Sequence, residues 1–234
     1  MRITYIHHSS FLAEMKEAAF LFDYYQGEVR LPQGKPAVVF ASHRHGDHFS
    51  KVIFDLAEGR EDVFFVLSDD IWEKRTPPDL RNRILFAGPG QEFSLPWLSC
   101  VSVRTFKSTD EGVAFLIRSP EGVIYHAGDL NNWQWEGEPK DWNRNMEVNY
   151  HRQLETMKGE KIDWAFVPLD PRQGNDFYRG MDDFMKMVGA KRVFPMHCWG
   201  DYSVIGRFKA MEESAAYRER IVEIEREGQV FDVE

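Results

Sequence analysis

The apolar run Ala37-Val38-Val39-Phe40-Ala41 passes without a break into Ser42-His43-Arg44-His45-Gly46-Asp47-His48. No other stretch constrains the chain as much. The first part has the length and composition of a buried strand. The second places three imidazoles and a carboxylate within six residues at that strand's mouth. Imidazole and carboxylate together suit borderline and hard divalent ions such as zinc, manganese or iron. The spacing H-x-H-x-D-H is not that of H-E-x-x-H, whose ligands lie one helical turn apart, so these ligands come from an irregular loop. A chance histidine cluster in an exposed turn is the competing reading, and the strand in front of it argues against that.

The chain has 234 residues, 43% of them hydrophobic, enough for one large domain with a substantial core. No apolar run approaches the ~20 residues of a membrane span. The opening Met1-Arg2-Ile3-Thr4-Tyr5-Ile6 lacks a signal-peptide core, and two cysteines are too few for a disulfide framework. A cytoplasmic protein is therefore expected. A formal charge of −9 argues against a broad basic surface for nucleic acid. No membrane or nucleic-acid partner is expected, and the oligomeric state is not readable.

Strands are predicted at Arg2–Ile6, Phe11–Met15, Ala19–Asp23, Val38–Ala41, Asp62–Leu67 and Ile84–Ala87. Further strands are predicted at Leu98–Phe106, Gly112–Arg118 and Val123–His126, with Pro120-Glu121-Gly122 as a turn. Ser50 and Gly59 have the chemistry to cap a helix over Lys51–Glu58. Later, Trp142, Met146, Tyr150, Leu154 and Met157 fall one helical turn apart, as do Phe177, Met181, Phe184, Met185 and Val188. Strands at Trp164–Pro168 and Arg192–Met196 follow this alternation. A last helix is marked by Ile205, Phe208, Met211 and Ala215, and a closing hairpin by Ile221–Ile224 with Gln229–Val233. A strand-rich first half and an alternating second half fit an α/β four-layer sandwich, two sheets covered by helices.

Two more metal-ligand types stand at strand ends. Asp129 follows Gly128 after Val123–Ala127, and His197 follows Val193-Phe194-Pro195-Met196. Alone, each reads as an ordinary turn aspartate or a buried histidine. The strand-then-ligand arrangement, however, occurs three times, at His43, Asp129 and His197, and loops at strand ends are where sites are built.

These motifs resemble the metallo-β-lactamase superfamily along essentially the whole chain. The segments His7-His8-Ser9-Ser10-Phe11, Leu21-Phe22-Asp23, Tyr125-His126-Ala127-Gly128-Asp129 and Phe194-Pro195-Met196-His197 are similar to its ascorbate-6-phosphate lactonase-like branch. The resemblance implies a single metallo-β-lactamase-like domain over residues 1–234, of the αββα type. It also implies one or two divalent ions, zinc or manganese foremost. One position would take His43, His45 and a further histidine. The other would take Asp47, His48 and His197, with Asp129 bridging. An activated water would be the nucleophile, with Asp47, His48 and Asp129 as the catalytic group. The family's third histidine is missing. Ser108 stands at its register position in Thr105–Phe115, and Asp110 or Glu111 can supply an oxygen ligand instead, Asp110 being the one expected.

Trp133, Trp135 and Trp199 beside these ligands suggest the walls of a small-molecule pocket, although tryptophan also caps cores. Arg172 can clamp a phosphate or carboxylate, or simply form a surface salt bridge. His8 is placed with the substrate-binding group and could also reach the metal. His126 reads as a support for the ligands and Cys198 as a buried thiol. The leading expectation is a metal-dependent hydrolase of a small ester, lactone or phosphodiester, anionic substrates included. The alternatives are a metal-binding member of the fold with lost or altered catalysis, and a di-iron oxidoreductase.

Overall fold

The computed structural model describes residues 1–233. Its strands are β1 (Arg2–His7), β2 (Ser10–Glu14), β3 (Ala19–Phe22), β4 (Ala37–Ala41), β5 (Val63–Ser68), β6 (Ile84–Ala87), β7 (Glu92–Leu95), β8 (Leu98–Lys107), β9 (Val113–Ser119), β10 (Gly122–His126), β11 (Ile162–Pro168), β12 (Ala190–Met196) and β13 (Val230–Asp232). Three α-helices, α1 (Lys140–Glu155), α2 (Arg179–Met187) and α3 (Ser203–Ala210), lie among them. Among the described residues the strands form two sheets, in the orders β13-β1-β2-β3-β4-β5-β6 and β12-β11-β10-β9-β8-β7.

Side chains alternate across a strand, so a strand with both faces covered reads as unbroken apolar sequence. β4 shows this directly. Val38 and Phe40 face the core between the sheets, with Phe20 and Phe22 of the neighbouring strand. Ala37, Val39 and Ala41 face a second core on the sheet's outer side. Phe40 stacks on Phe22 at 5.1 Å and meets Phe115 of the opposite sheet edge-on at 5.2 Å. Phe11 of the first sheet stacks on Phe166 of the second at 4.4 Å. On the outside of the second sheet, Phe184 of α2 lies flat against Tyr125 at 5.1 Å.

The architecture is thus the expected α/β sandwich of layers, with local differences. Lys51–Ala57 is a 3₁₀ helix, and together with a second over Pro78–Arg83 it covers the outer face of the first sheet. The segment is short and buries only Ile53, Phe54 and Ala57, a setting in which the tighter helix is common. Ser50 is its N-cap, and Gly59 takes a left-handed φ of 66° just beyond it. The last helix stops at Ala210, short of Met211 and Ala215. There the Ser214 hydroxyl donates to the Phe208 carbonyl at 2.8 Å and takes up a last-turn acceptor.

The closing hairpin does not form. β13 pairs antiparallel with β1 at the sheet edge, while Ile221 bridges β12 in parallel through Val193. Both outcomes give otherwise open edges a partner. The polar strand β7 carries a single buried residue, Leu95, and escaped the apolar pattern. No helix among the described residues is long and apolar enough to cross a membrane.

Phe40 is fully buried between the two sheets. Phe40→Ala is expected to cost about 3–5 kcal/mol, the range for a core Phe→Ala cavity. Urea unfolding at equilibrium checks this, and a loss below ~1 kcal/mol would mean that the sheets do not depend on this contact.

Candidate metal centre

Ser42, the first residue past β4, is held from three sides. Its amide donates to Asp23 Oδ1 at 2.7 Å, its hydroxyl donates to Asp23 Oδ2 at 2.7 Å, and its carbonyl accepts from Val113 N at 2.9 Å. The approach is close enough to require glycine on the opposite sheet. At Gly112 (φ 68°) an added Cβ would stand 2.0 Å from the Ser42 carbonyl oxygen, and at Gly128 (φ 51°) it would stand 2.6 Å from Ser42 Cβ. The non-glycine residues with left-handed φ among the described residues are His8, Asp23, His197 and Trp199. Asp23 holds Ser42 and His48, and His8, His197 and Trp199 pack on one another beside His48; strain of this kind persists only where the surroundings over-determine it.

The loops so held bring two sets of ligand atoms together. His8, Asp47, His48 and His197 form one; His43, His45, Asp110 and Asp129 form the other. Within each set the ligand atoms lie within 4.8 Å of one another. Asp129 stands between the sets, with Oδ1 3.2 Å from His48 Nε2 and 3.5 Å from His197 Nε2, and Oδ2 3.7 Å from His43 Nε2. His8 Nε2, His48 Nε2, His197 Nε2 and Asp129 Oδ1 are buried without a hydrogen-bond partner. Buried polar atoms are normally satisfied, and a cluster of orphans pointing at one another fits a cation between them. Three imidazoles with one carboxylate, and two with two, are donor sets for zinc, manganese or iron rather than calcium or magnesium.

A layer of carboxylates aims the imidazoles. His48 Nδ1 donates to Asp23 Oδ2 at 2.7 Å, and His197 Nδ1 donates to Asp170 Oδ2 at 2.9 Å, which leaves each Nε2 lone pair facing the centre. The Trp199 indole N–H also lies 3.2 Å from His197 Nδ1, but a nitrogen that donates to a carboxylate has no lone pair to offer it. His45 places Nδ1 3.0 Å from His43 Nε2 and 3.5 Å from Asp110 Oδ2, with its Nε2 3.4 Å from Glu111 Oε2. His126 donates from Nε2 to the Ser9 carbonyl at 2.9 Å and accepts the Gly128 amide at Nδ1, so it is neutral and braces the loop that carries Asp129.

The electrostatics follow from burial and from this pairing. Burial lowers His8 and His43 to about 4. Burial also opposes charge on His48, but Asp129 and Asp23 outweigh it and raise the group to about 9. Burial raises Asp23, and the imidazoles of His126 and His48 overcome this and bring it to about 2. Asp170, likewise opposed by burial, falls to about 2 through His197 and Arg172. The His8 imidazole, with Nε2 3.5 Å from Asp47 Oδ2, helps to hold Asp47 well below the ordinary carboxylate range. Burial and then the Asp129 charge raise Asp110. In the metal-free protein a proton on His48 therefore stands where cationic charge is wanted.

All six residues of the strand-end reading, His43, His45, Asp47, His48, Asp129 and His197, come together. Asp110 joins them beside His45, while Ser108 turns into its own loop, with its hydroxyl accepting the Asp110 amide at 3.1 Å. His8 lies among the ligand atoms rather than on the cleft wall. Trp133, Trp135 and Arg172 line an adjoining cleft of about 210 Å³. Arg172 is committed to Asp170 through Nε and Nη2, and its plane lies 4.2 Å from the Trp199 ring. Arg172 thus forms the salt bridge that was the alternative reading while still lining the cleft. Cys198 is a buried thiol whose pKa burial raises. Sequence reasoning assigned no role to Asp23 or Asp170, although each stands just past a strand, β3 and β11, the same signal that marked Asp129.

A family model described as the Beta-lactamase superfamily domain matches residues 2–139. A UPF0173 metal-dependent hydrolase from Desulforamulus reducens is 26% identical over 214 residues, 84% of each chain. The structure of Igni18, a metallo hydrolase from Ignicoccus hospitalis, is similar with a TM-score of 0.66 and 16% identity, over 100% of this chain and 99% of that one. YhfI from Bacillus subtilis, a metallo-β-lactamase fold protein, gives 0.65 and 15%, over 99% of both chains. At these identities the structural likeness speaks for the fold.

Two outcomes are expected. Asp23→Asn should weaken divalent-metal retention about 10–100-fold, the usual effect of losing a supporting carboxylate; competition with a chromogenic chelator measures it, and unchanged affinity would remove Asp23 from the support layer. In the chelated protein, unfolded histidine at its ordinary 6.5 binds protons that folded His8 and His43, near 4, do not. Their contribution to stability is therefore present above about 6.5 and falls away as pH drops toward 4. Thermal melts of the chelated protein across that window should show a falling Tm.

Proposed function

Because this chain belongs to the metallo-β-lactamase superfamily, we propose that it is a metal-dependent hydrolase of small molecules with a two-position metal site. His8, Asp47, His48 and His197 hold one divalent ion; His43, His45 and Asp110 hold the other; Asp129 is shared. The observation that carries this reading is the set of orphaned, buried ligand atoms converging from four separate loops. Zinc and manganese suit the donors equally well.

An ion bound there supplies Lewis acidity, polarising a substrate oxygen and making water acidic enough to react near neutral pH. The chain's own residues do the rest. Asp47, half-buried and well below the ordinary carboxylate range, would accept a hydrogen bond from the attacking water and orient it. Asp23 and Asp170 lock the tautomers of His48 and His197. Trp133 and Trp135 narrow the approach and exclude bulk water. Substrates in which water displaces an alcohol at a carbonyl or phosphoryl centre fit this arrangement: esters, lactones or phosphodiesters. The resemblance to the ascorbate-6-phosphate lactonase-like branch keeps lactones in that class. Two free cysteines accord with action in a reducing cytoplasm.

The two positions differ in a way that is open to measurement. The His8/His48/His197 set has three buried imidazoles, whereas His45 and Asp110 are each 43% exposed. Mild chelation should therefore empty the His43/His45/Asp110 position first, read as site occupancy by anomalous diffraction, and Asp110→Ala should weaken that position alone. Emptying in the opposite order would overturn the assignment. Asp47→Ala and His197→Ala should each lower hydrolysis of a responsive ester, lactone or phosphodiester by more than the ~100-fold typical of losing a supporting group. Full metal loading with no turnover across all three classes would reject the hydrolase reading and leave a metal-binding role.

A further inference from the structure

The cleft beside the metal centre has Asp110, Asp129 and His197 at its inner end and a wall of Trp133, Trp135 and Trp142 with Met146. Trp133 is buried and fixed: its indole N–H donates to the Asp129 carbonyl at 3.0 Å, and its ring meets His197 edge-on at 5.4 Å. Trp135 lies parallel to Trp133, at 2° and 5.8 Å between centroids. A reciprocal clasp to α1 holds its backbone: Trp135 N donates to Asn143 Oδ1 at 3.0 Å, and Asn143 Nδ2 donates to the Trp135 carbonyl at 2.9 Å. Trp142 and Met146 are four residues apart on α1 and so share a face above this wall. Trp142 is 37% exposed, so it keeps open surface to offer a ligand.

Arg172 pairs with Asp170 through Nε and Nη2, and its guanidinium lies against Trp199 and, more distantly, Trp135 at 5.8 Å. The two parallel indoles are too close to admit a ring between them, since stacking on both sides needs roughly 7 Å, twice the ~3.5 Å contact distance. A flat group therefore seats not between the two indoles but in the cleft that Trp135 lines together with Trp142 and Met146. The cleft's 210 Å³ exceeds the roughly 150 Å³ that accommodates a benzene ring.

We infer that this wall is a seat for one aromatic ring, and that the substrate is an ester or lactone carrying such a ring within one or two bonds of the group that is cleaved. The inference rests on the hydrolase reading above. A matched pair isolates the ring: benzyl acetate and cyclohexylmethyl acetate share an acyl group and an alkoxide leaving group. In either case the acyl–oxygen bond breaks, the oxygen of water goes to acetate, and a proton of water goes to the released alcohol.

The test uses the metal-loaded full chain with two readouts. In ¹⁵N-labelled protein, Trp135→Leu and Trp142→Leu each delete one indole N–H signal and so assign it. Those signals should respond to benzyl alcohol at concentrations about five- to tenfold lower than to cyclohexylmethanol, the size of an aromatic pairing preference. In turnover, kcat/KM should favour the benzyl ester by a similar factor. Trp135→Leu should abolish both preferences and Trp135→Phe should retain them; Trp142→Leu, at an exposed position where misfolding is not at issue, should reduce them. Hydrolysis of both esters at equal rates, or equal indole responses to both alcohols, would overturn the ring seat while leaving the hydrolase reading intact. A ring preference in the indole signals with neither ester cleaved would sink ester hydrolysis and keep the seat.

Discussion

The buried carboxylate of Asp23 is the interaction on which the rest of this centre depends. It receives the amide and hydroxyl of Ser42 and the Nδ1–H of His48, all at 2.7 Å. Three donors to one carboxylate compensate the cost of burying its charge, and charge-assisted bonds of this kind are stronger than neutral ones. The consequence is geometric. Ser42 is the hinge between β4 and the ligand loop, so fixing it sets the direction in which His43, His45, Asp47 and His48 leave the sheet. The same bond sets the His48 tautomer. Strand end, loop path and ligand orientation thus share one anchor, and the left-handed backbone of Asp23 is the strain that the anchor sustains.

The opposite sheet answers with shape rather than charge. Gly112 and Gly128 press against Ser42, and Val113 N closes a hydrogen bond to its carbonyl, so the two sheets are locked together where the ligands converge. Below them lies the aromatic packing of Phe11, Phe22, Phe40, Phe115 and Phe166. Cores packed this densely do not yield continuously, and the ligand set is built on their rim. The orphaned atoms of His8, His48, His197 and Asp129 are thus carried on loops that leave this packed rim.

Much of this could be read from sequence, for definite reasons. Val38–Ala41 and the strands of the second half were legible because burial on both faces leaves an unbroken apolar run. His43, Asp129 and His197 were legible because each is a metal-ligand type directly after such a run. β7 was not, since a short polar edge strand carries almost no hydrophobic signal. The hairpin expected at the C-terminal end failed because pairing preferences there are decided by distant open edges, β1 and β12, which local pattern does not encode. Asp23 and Asp170 carry the same strand-end mark as Asp129, but an aspartate that supports a histidine and one that binds an ion look alike until partners are visible. His8 needed the tertiary fold most of all: 34 residues separate it from His43, the next ligand along the chain, and only the return of β1 and β2 beneath β12 brings it to His197, with ring centroids 4.1 Å apart.

The missing third histidine has a physical answer in the turn that replaces it. Thr109 accepts the Asn131 amide at 3.0 Å and donates to the Asn131 carbonyl at 2.6 Å, which pins Ser108–Gly112 to the loop carrying Asp129. Asp110 is thereby held beside His45, with its anionic form disfavoured by burial and by the Asp129 charge nearby. Two carboxylates so placed repel unless a cation lies between them. An imidazole in that position would bind as a neutral ligand, whereas Asp110 brings negative charge to a site that already contains Asp129. An ion held there, in the two-position site proposed above, would meet one more negative charge and one fewer imidazole than a third histidine would give it, a donor set richer in oxygen than that around His8, His48 and His197.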